Sequence, residues 1–108
     1  MTKIEITEKM INSLTELGAK RWTKAGRDRL YIKKAAPELI GLRYKRYGTG
    51  NISEAEINGE YISNSACGRI LSNLDKAFID LKTGEIVLPN NDKDDLEAKI
   101  EEALLEIQ

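Results

Sequence analysis

Between Lys20 and Ile32 the chain gathers the side chains best suited to chemistry. They are Lys20, Arg21, Lys24, Arg27 and Arg29, one acid (Asp28), the only tryptophan (Trp22), and Tyr31. Fixed cations attract phosphate and aromatic faces stack on bases, so this mixture suits contact with a nucleic-acid strand. The basic character continues to residue 47. Residues 20–47 carry ten Lys and Arg against Asp28 and Glu38, a local charge of +8, with Tyr44 and Tyr47 nearby. Arg21, Lys24, Arg27, Arg29, Lys33, Arg43 and Lys45 fall on alternating strand positions or at turns, which would let several of them share one face with Tyr31 among them, and these eight are the candidate binding residues. The competing reading is a solvated sheet face on which tyrosines merely pack. Residues 80–108 carry −6, so an acidic final helix folded over the basic stretch would neutralise part of it.

Other chemistry finds little support. Histidine is absent, which removes the commonest zinc ligand and any Ser-His or Cys-His pair. The single cysteine, Cys67, has no activating partner in sequence and reads as a small apolar residue on a helix. Asn90, Asp92, Asp94 and Glu101 match positions 1, 3, 5 and 12 of a calcium loop, but Asp95 stands where that loop needs Gly. These acids read instead as a helix start. Gly48-Thr49-Gly50-Asn51 lacks the Lys-Ser/Thr of a phosphate-binding loop and reads as a turn. Glu54, Glu56 and Glu60 flank a hairpin and face solvent. No catalytic residue, metal or cofactor is singled out, and the chain reads as a binding protein rather than an enzyme. An enzyme working with carboxylates and tyrosines alone is the less favoured alternative.

The elements that must position these residues follow from periodicity and punctuation. Thr7 caps a helix with the stripe Met10, Ile11, Leu14 and Leu17, closed by Gly18. Next comes a hairpin turning near Gly26, with Arg21 and Thr23 on the face opposite Trp22, and Leu30 and Ile32 opposite Arg29 and Tyr31. Such a ribbon is expected to bury Trp22 and hold its cations outward. Residues 33–41 predict one short helical turn, 42–47 a strand, and 52–57 and 60–62 a hairpin about Asn58-Gly59. Ser63, Asn64 or Ser65 caps a helix containing Ala66, Ile70, Leu71 and Leu74. Residues 76–88 form a hairpin about Lys82-Thr83-Gly84-Glu85, with Ile79, Leu81, Ile86 and Leu88 as candidate core residues. Asp92 or Asp94 caps a final amphipathic helix, residues 93–107, with the stripe Leu96, Ile100, Ala103, Leu104 and Ile107. The sum is one α+β domain over residues 1–108: an antiparallel sheet of short hairpins with three main helices packed on it. The final helix is the piece most able to stand away as an arm.

Hydrophobic content of 41% and charge of 32% fit a soluble globular domain. With one cysteine, no signal-like apolar run near the start and no run of eighteen apolar residues, a cytoplasmic protein without membrane partners is expected. The segment from Gly18 to Ile32, with Thr49-Gly50-Asn51-Ile52-Ser53 and Ile62-Ser63-Asn64-Ser65, resembles small proteins of bacteria and their phages. These share a KRWxKxGxDRLYI pattern followed by TGNIS. The resemblance spans about two thirds of the chain and carries no assigned activity. It implies a small single-domain protein of mobile-element type. By analogy with such phage proteins, it implies an inhibitor of a host defence system in the manner of anti-CRISPR proteins. The expected partner is nucleic acid, or a complex that handles it, met through the basic hairpin face. The alternative is a homo-oligomeric module paired through the last helix, with Leu105 as a second apolar contact. Either a monomer or a homodimer fits.

Overall fold

The computed structural model describes residues 2–107. Among the described residues eight strands and four helices follow one another. They are β1 (Thr2–Lys3), α1 (Glu8–Glu16), β2 (Lys20–Lys24), β3 (Arg27–Tyr31), α2 (Ala36–Leu39) and β4 (Leu42–Arg46). Then come β5 (Ile52–Ile57), β6 (Glu60–Ile62), α3 (Asn64–Leu74), β7 (Phe78–Asp80), β8 (Glu85–Val87) and α4 (Leu96–Glu106). The class is α+β with antiparallel pairing throughout, as the sequence predicts. One difference is architectural. The strands form two sheets rather than one: a five-stranded sheet ordered β1-β8-β7-β3-β2 and a three-stranded sheet ordered β4-β5-β6. The edge strand β1 has no counterpart in the sequence reading, because a two-residue strand is too short to show alternation.

Local signals set most boundaries. The Thr7 hydroxyl accepts the Met10 N–H at 3.2 Å, and Gly18 takes the positive φ (114°) that closes α1. Ser63 caps α3 by accepting the Ala66 N–H at 3.0 Å. At the start of α4 the Asp92 carboxylate accepts the N–H groups of Leu96 and Glu97, while Asp94 is taken by a bidentate bond from Arg69. Asp92 and Asp94 of the apparent calcium loop are therefore engaged within the fold.

The core is built by one residue in two along the strands and one face of each long helix. Leu30, Ile79 and Ile86 share the inner face of the larger sheet, where they meet Met10 and Leu14 of α1 and Leu96, Ile100 and Leu104 of α4 in a common cluster. Leu42 and Ala55 do the same for the smaller sheet, which packs on α3 through β5 and on α2 through β4. The last helix is not an arm: Leu96, Ile100 and Leu104 of its apolar stripe are fully buried, and it packs against β1, β8 and α2. β1 and β8 lie at the sheet edge far from β2, so α4 does not fold over the basic hairpin as charge alone suggested. Helix position follows the apolar stripe, whose burial outweighs attraction between exposed charges. Among the described residues no helix is long and apolar enough to cross a membrane.

Candidate nucleic-acid interface

The β2–β3 hairpin turns on Ala25-Gly26, with φ of 53° and 76°, the double positive conformation of a two-residue primed turn. A two-residue loop leaves no freedom in register. Lys24 pairs with Arg27, Trp22 with Arg29, and Lys20 with Tyr31. Residues directly opposite each other project to the same face, and alternate residues of a strand share it. Lys20, Trp22, Lys24, Arg27, Arg29 and Tyr31 therefore form one surface. β7 adds Phe78 opposite Tyr31 and Asp80 opposite Arg29, and β8 adds Glu85 opposite Asp80. Lys3 of β1 stands across from Glu85.

This face is the one turned away from the core. Leu30 is 0% exposed, whereas Trp22 is 37% exposed. The expectation that the hairpin buries its tryptophan is thus overturned. With register set by the turn, the inward positions of β2 fall to Arg21 and Thr23, and Trp22 is forced out beside Arg29. β2 is also the sheet edge, where all five of its residues are exposed.

The rings and the central cation touch. The Arg29 guanidinium lies 4.2 Å from the Phe78 ring centroid and 5.8 Å from that of Trp22, and its Nη1 donates to the Tyr31 hydroxyl at 3.2 Å. Tyr31 and Phe78 rings meet at 5.4 Å with a 48° tilt. Asp80 faces Arg29 across the ladder but its Oδ1 accepts the N–H groups of Lys82 and Thr83, and the guanidinium lies on the rings instead. Cation–π contacts hold the Arg29 plane without neutralising its charge. Five cations (Lys3, Lys20, Lys24, Arg27, Arg29) and two carboxylates (Asp80, Glu85) occupy the surface, with the acids toward the β7–β8 turn and all but Lys3 of the cations on β2 and β3.

Four of the eight residues expected to bind meet here: Lys24, Arg27, Arg29 and Tyr31. The other four do not. Arg21 points to the opposite face, where its Nε and Nη2 donate to Asp28 at 3.0 and 2.7 Å. That bidentate bond pushes the Arg21 pKa up and holds the Asp28 carboxyl below its usual range. Lys33 forms an ion pair with Asp75, whose pKa it lowers. Arg43 and Lys45 belong to the smaller sheet, facing Glu56 and Glu54 across the β4–β5 ladder. One wet surface for all eight does not exist, because β3 and β4 enter different sheets.

Lys20, Trp22 and Phe78 are the members that sequence reasoning left out of the site. The signal was present for two of them. The two-residue turn dictates that Lys20 and Trp22 align with Tyr31 and Arg29, and Phe78 is out of phase with the core residue Ile79. That β7 lies beside β3 is a pairing across about fifty residues, which no local pattern specifies.

No protein-family model, curated protein or solved structure matches the chain. The fold and the site define an antiparallel α+β domain that leaves one sheet face open, with three aromatic rings around a clamped guanidinium and a cationic rim.

Proposed function

We propose that this protein is a small non-enzymatic binding protein that engages single-stranded nucleic acid through the open face of its larger sheet. The observation that carries the proposal is the Trp22–Arg29–Tyr31–Phe78 cluster standing among Lys20, Lys24 and Arg27 on an uncovered sheet face. The exposed Trp22 ring, beside the half-buried Tyr31 and Phe78, can stack an unpaired base while flanking cations hold the backbone, and duplexes offer no free base faces to such a platform. The expected setting is that of a mobile-element protein acting on a host defence complex that handles nucleic acid.

A second reading has its own observation. Away from its buried stripe α4 exposes Glu102 and Glu106, with Glu101 half-buried beside the stripe and Lys99 the one basic residue of the helix. An inhibitor could present this acidic surface to the nucleic-acid channel of a protein target. A mobility-shift assay with a labelled single-stranded oligonucleotide at 50 and 200 mM salt separates the two. With Lys20, Lys24, Arg27 and Arg29 each meeting a phosphate, affinity falls about 50-fold over that range, from a slope of about −0.7 per contact. No shift at the lower salt removes the sheet-face reading.

A further inference from the structure

A second concave surface lies where the two sheets diverge. A cleft of about 410 Å3 is bounded by Lys33, Lys34 and Pro37 at the start of α2, by Tyr44 and Arg46 of β4, and by the end of α3. Leu71 supplies apolar wall from α3 over the buried Leu74, and Asp75 sits at the rim in the ion pair with Lys33. Among the described residues no carboxylate pairs with Lys34 or Arg46.

Arg46 is held ready. Its guanidinium lies 5.2 Å from the Tyr44 ring centroid, and Nη1 donates to the Gly50 carbonyl at 2.7 Å. Gly50, at φ 94°, belongs to the turn from Gly48 to Asn51, so that turn has a purpose beyond reversing the chain. Nη2 and Nε remain as donors, and the two contacts reduce the rotamer entropy lost on binding an anion. Another cleft of similar size, between β6, α3 and α4, lacks this character: Asp94 there is bound by Arg69, and Lys99 donates to the Asp94 carbonyl.

An apolar wall beside two uncompensated cations is the chemistry of a nucleoside carrying a phosphomonoester: base or sugar against Leu71, phosphate between Lys34 and Arg46. We propose that this cleft binds the phosphomonoester of a nucleotide, either free or at the end of a strand. The route for a strand end is short. Lys20 and Tyr31 close the hairpin, and Lys33 follows two residues after Tyr31. Only the strand-end version rests on the sheet-face reading; binding of a free nucleotide does not.

The test uses the full chain labelled with 15N and titrated with adenosine 5′-monophosphate, with adenosine as control. The expected result is saturable movement of the Lys34, Tyr44, Arg46 and Leu71 amides by the monophosphate and not by adenosine. Lys34→Gln and Arg46→Gln are each expected to weaken it about tenfold, the worth of one charge-assisted contact. Lys34→Gln removes no ion pair, so its melting temperature stays at the wild-type value while binding falls. Two hexanucleotides, with and without a 5′-phosphate, distinguish the sources. A preference of about tenfold for the phosphorylated one, lost in Lys34→Gln, assigns a strand end; equal affinity with retained monophosphate binding assigns a free nucleotide. Trp22→Ala should leave monophosphate binding intact even where it abolishes oligonucleotide binding. Cleft amides that stay still at several millimolar monophosphate, or that move equally with adenosine, overturn the proposal.

Discussion

Trp22 offers the sharpest test of the sheet-face reading, because the chain has no other tryptophan and its emission reports on this one position. A base stacked on the exposed side of the indole contributes about 1–3 kcal/mol, so Trp22→Ala should weaken a short oligonucleotide about 5- to 150-fold. The loss cannot be mistaken for unfolding. Trp22 is 37% exposed on an edge strand, whereas Leu30 on the reverse of the same hairpin is 0% exposed. Leu30→Ala opens a core cavity costing about 2–5 kcal/mol, and should lower the melting temperature further than Trp22→Ala while leaving affinity unchanged below the transition. The assay is paired: fluorescence anisotropy of a labelled oligonucleotide for affinity, and quenching of tryptophan emission for contact. Quenching should track anisotropy and weaken together with it as salt rises. If the oligonucleotide binds with no change in tryptophan emission, or if Trp22→Ala alters affinity less than twofold, bases do not stack on this face and the reasoning fails.

Arg21, tied to Asp28 on the inner face, should be dispensable for binding: Arg21→Ala keeps oligonucleotide affinity within about twofold, while Arg27→Ala reduces the log–log salt slope by about 0.7, read by the same anisotropy titration. Gly84 sits at φ 76° with the Ile4 carbonyl oxygen 2.0 Å from where a Cβ would be, and its own carbonyl accepts the Ile4 N–H at 2.9 Å. Gly84→Ala combines about 1–2 kcal/mol of left-handed strain with expulsion of β1, and thermal unfolding should show a drop of at least about 5 °C. Asp28, Asp75 and Asp94 all have pKa values lowered by hydrogen-bonded cations, Arg21, Lys33 and Arg69 respectively. Their contribution to stability is present above the ordinary carboxylate pKa, about 3.9, and is lost as pH falls through the lower folded values. Melting temperature should therefore hold from pH 7 to 5 and fall below about pH 4, with a shallower fall in Asp28→Asn and Asp94→Asn; an unchanged acid limb in these variants contradicts the assignment.

The fold was legible where a local signal sufficed. Thr7 and Ser63 act as caps, Asn58-Gly59 turns the second hairpin with both residues at positive φ, and the stripe Leu96, Ile100, Leu104 is buried. The same local rules misplaced Trp22, since size and apolarity argue for burial, yet the Ala25-Gly26 turn sets the register and register outranks preference for the interior. The acidic helix was likewise read by charge, when its apolar stripe had the larger free energy at stake.

Composition and spacing determined by themselves that an α+β domain would form and that Arg29 and Tyr31 would share a face opposite Leu30 and Ile32, because strand alternation acts over fewer than ten residues. Only the tertiary structure decided that Phe78 joins them beneath Arg29, that Arg43 and Lys45 depart on another sheet, and that Lys34 and Arg46 border a common cleft. Those arrangements depend on which distant strands pair and on which apolar faces meet, and such long-range choices are made by the whole core together.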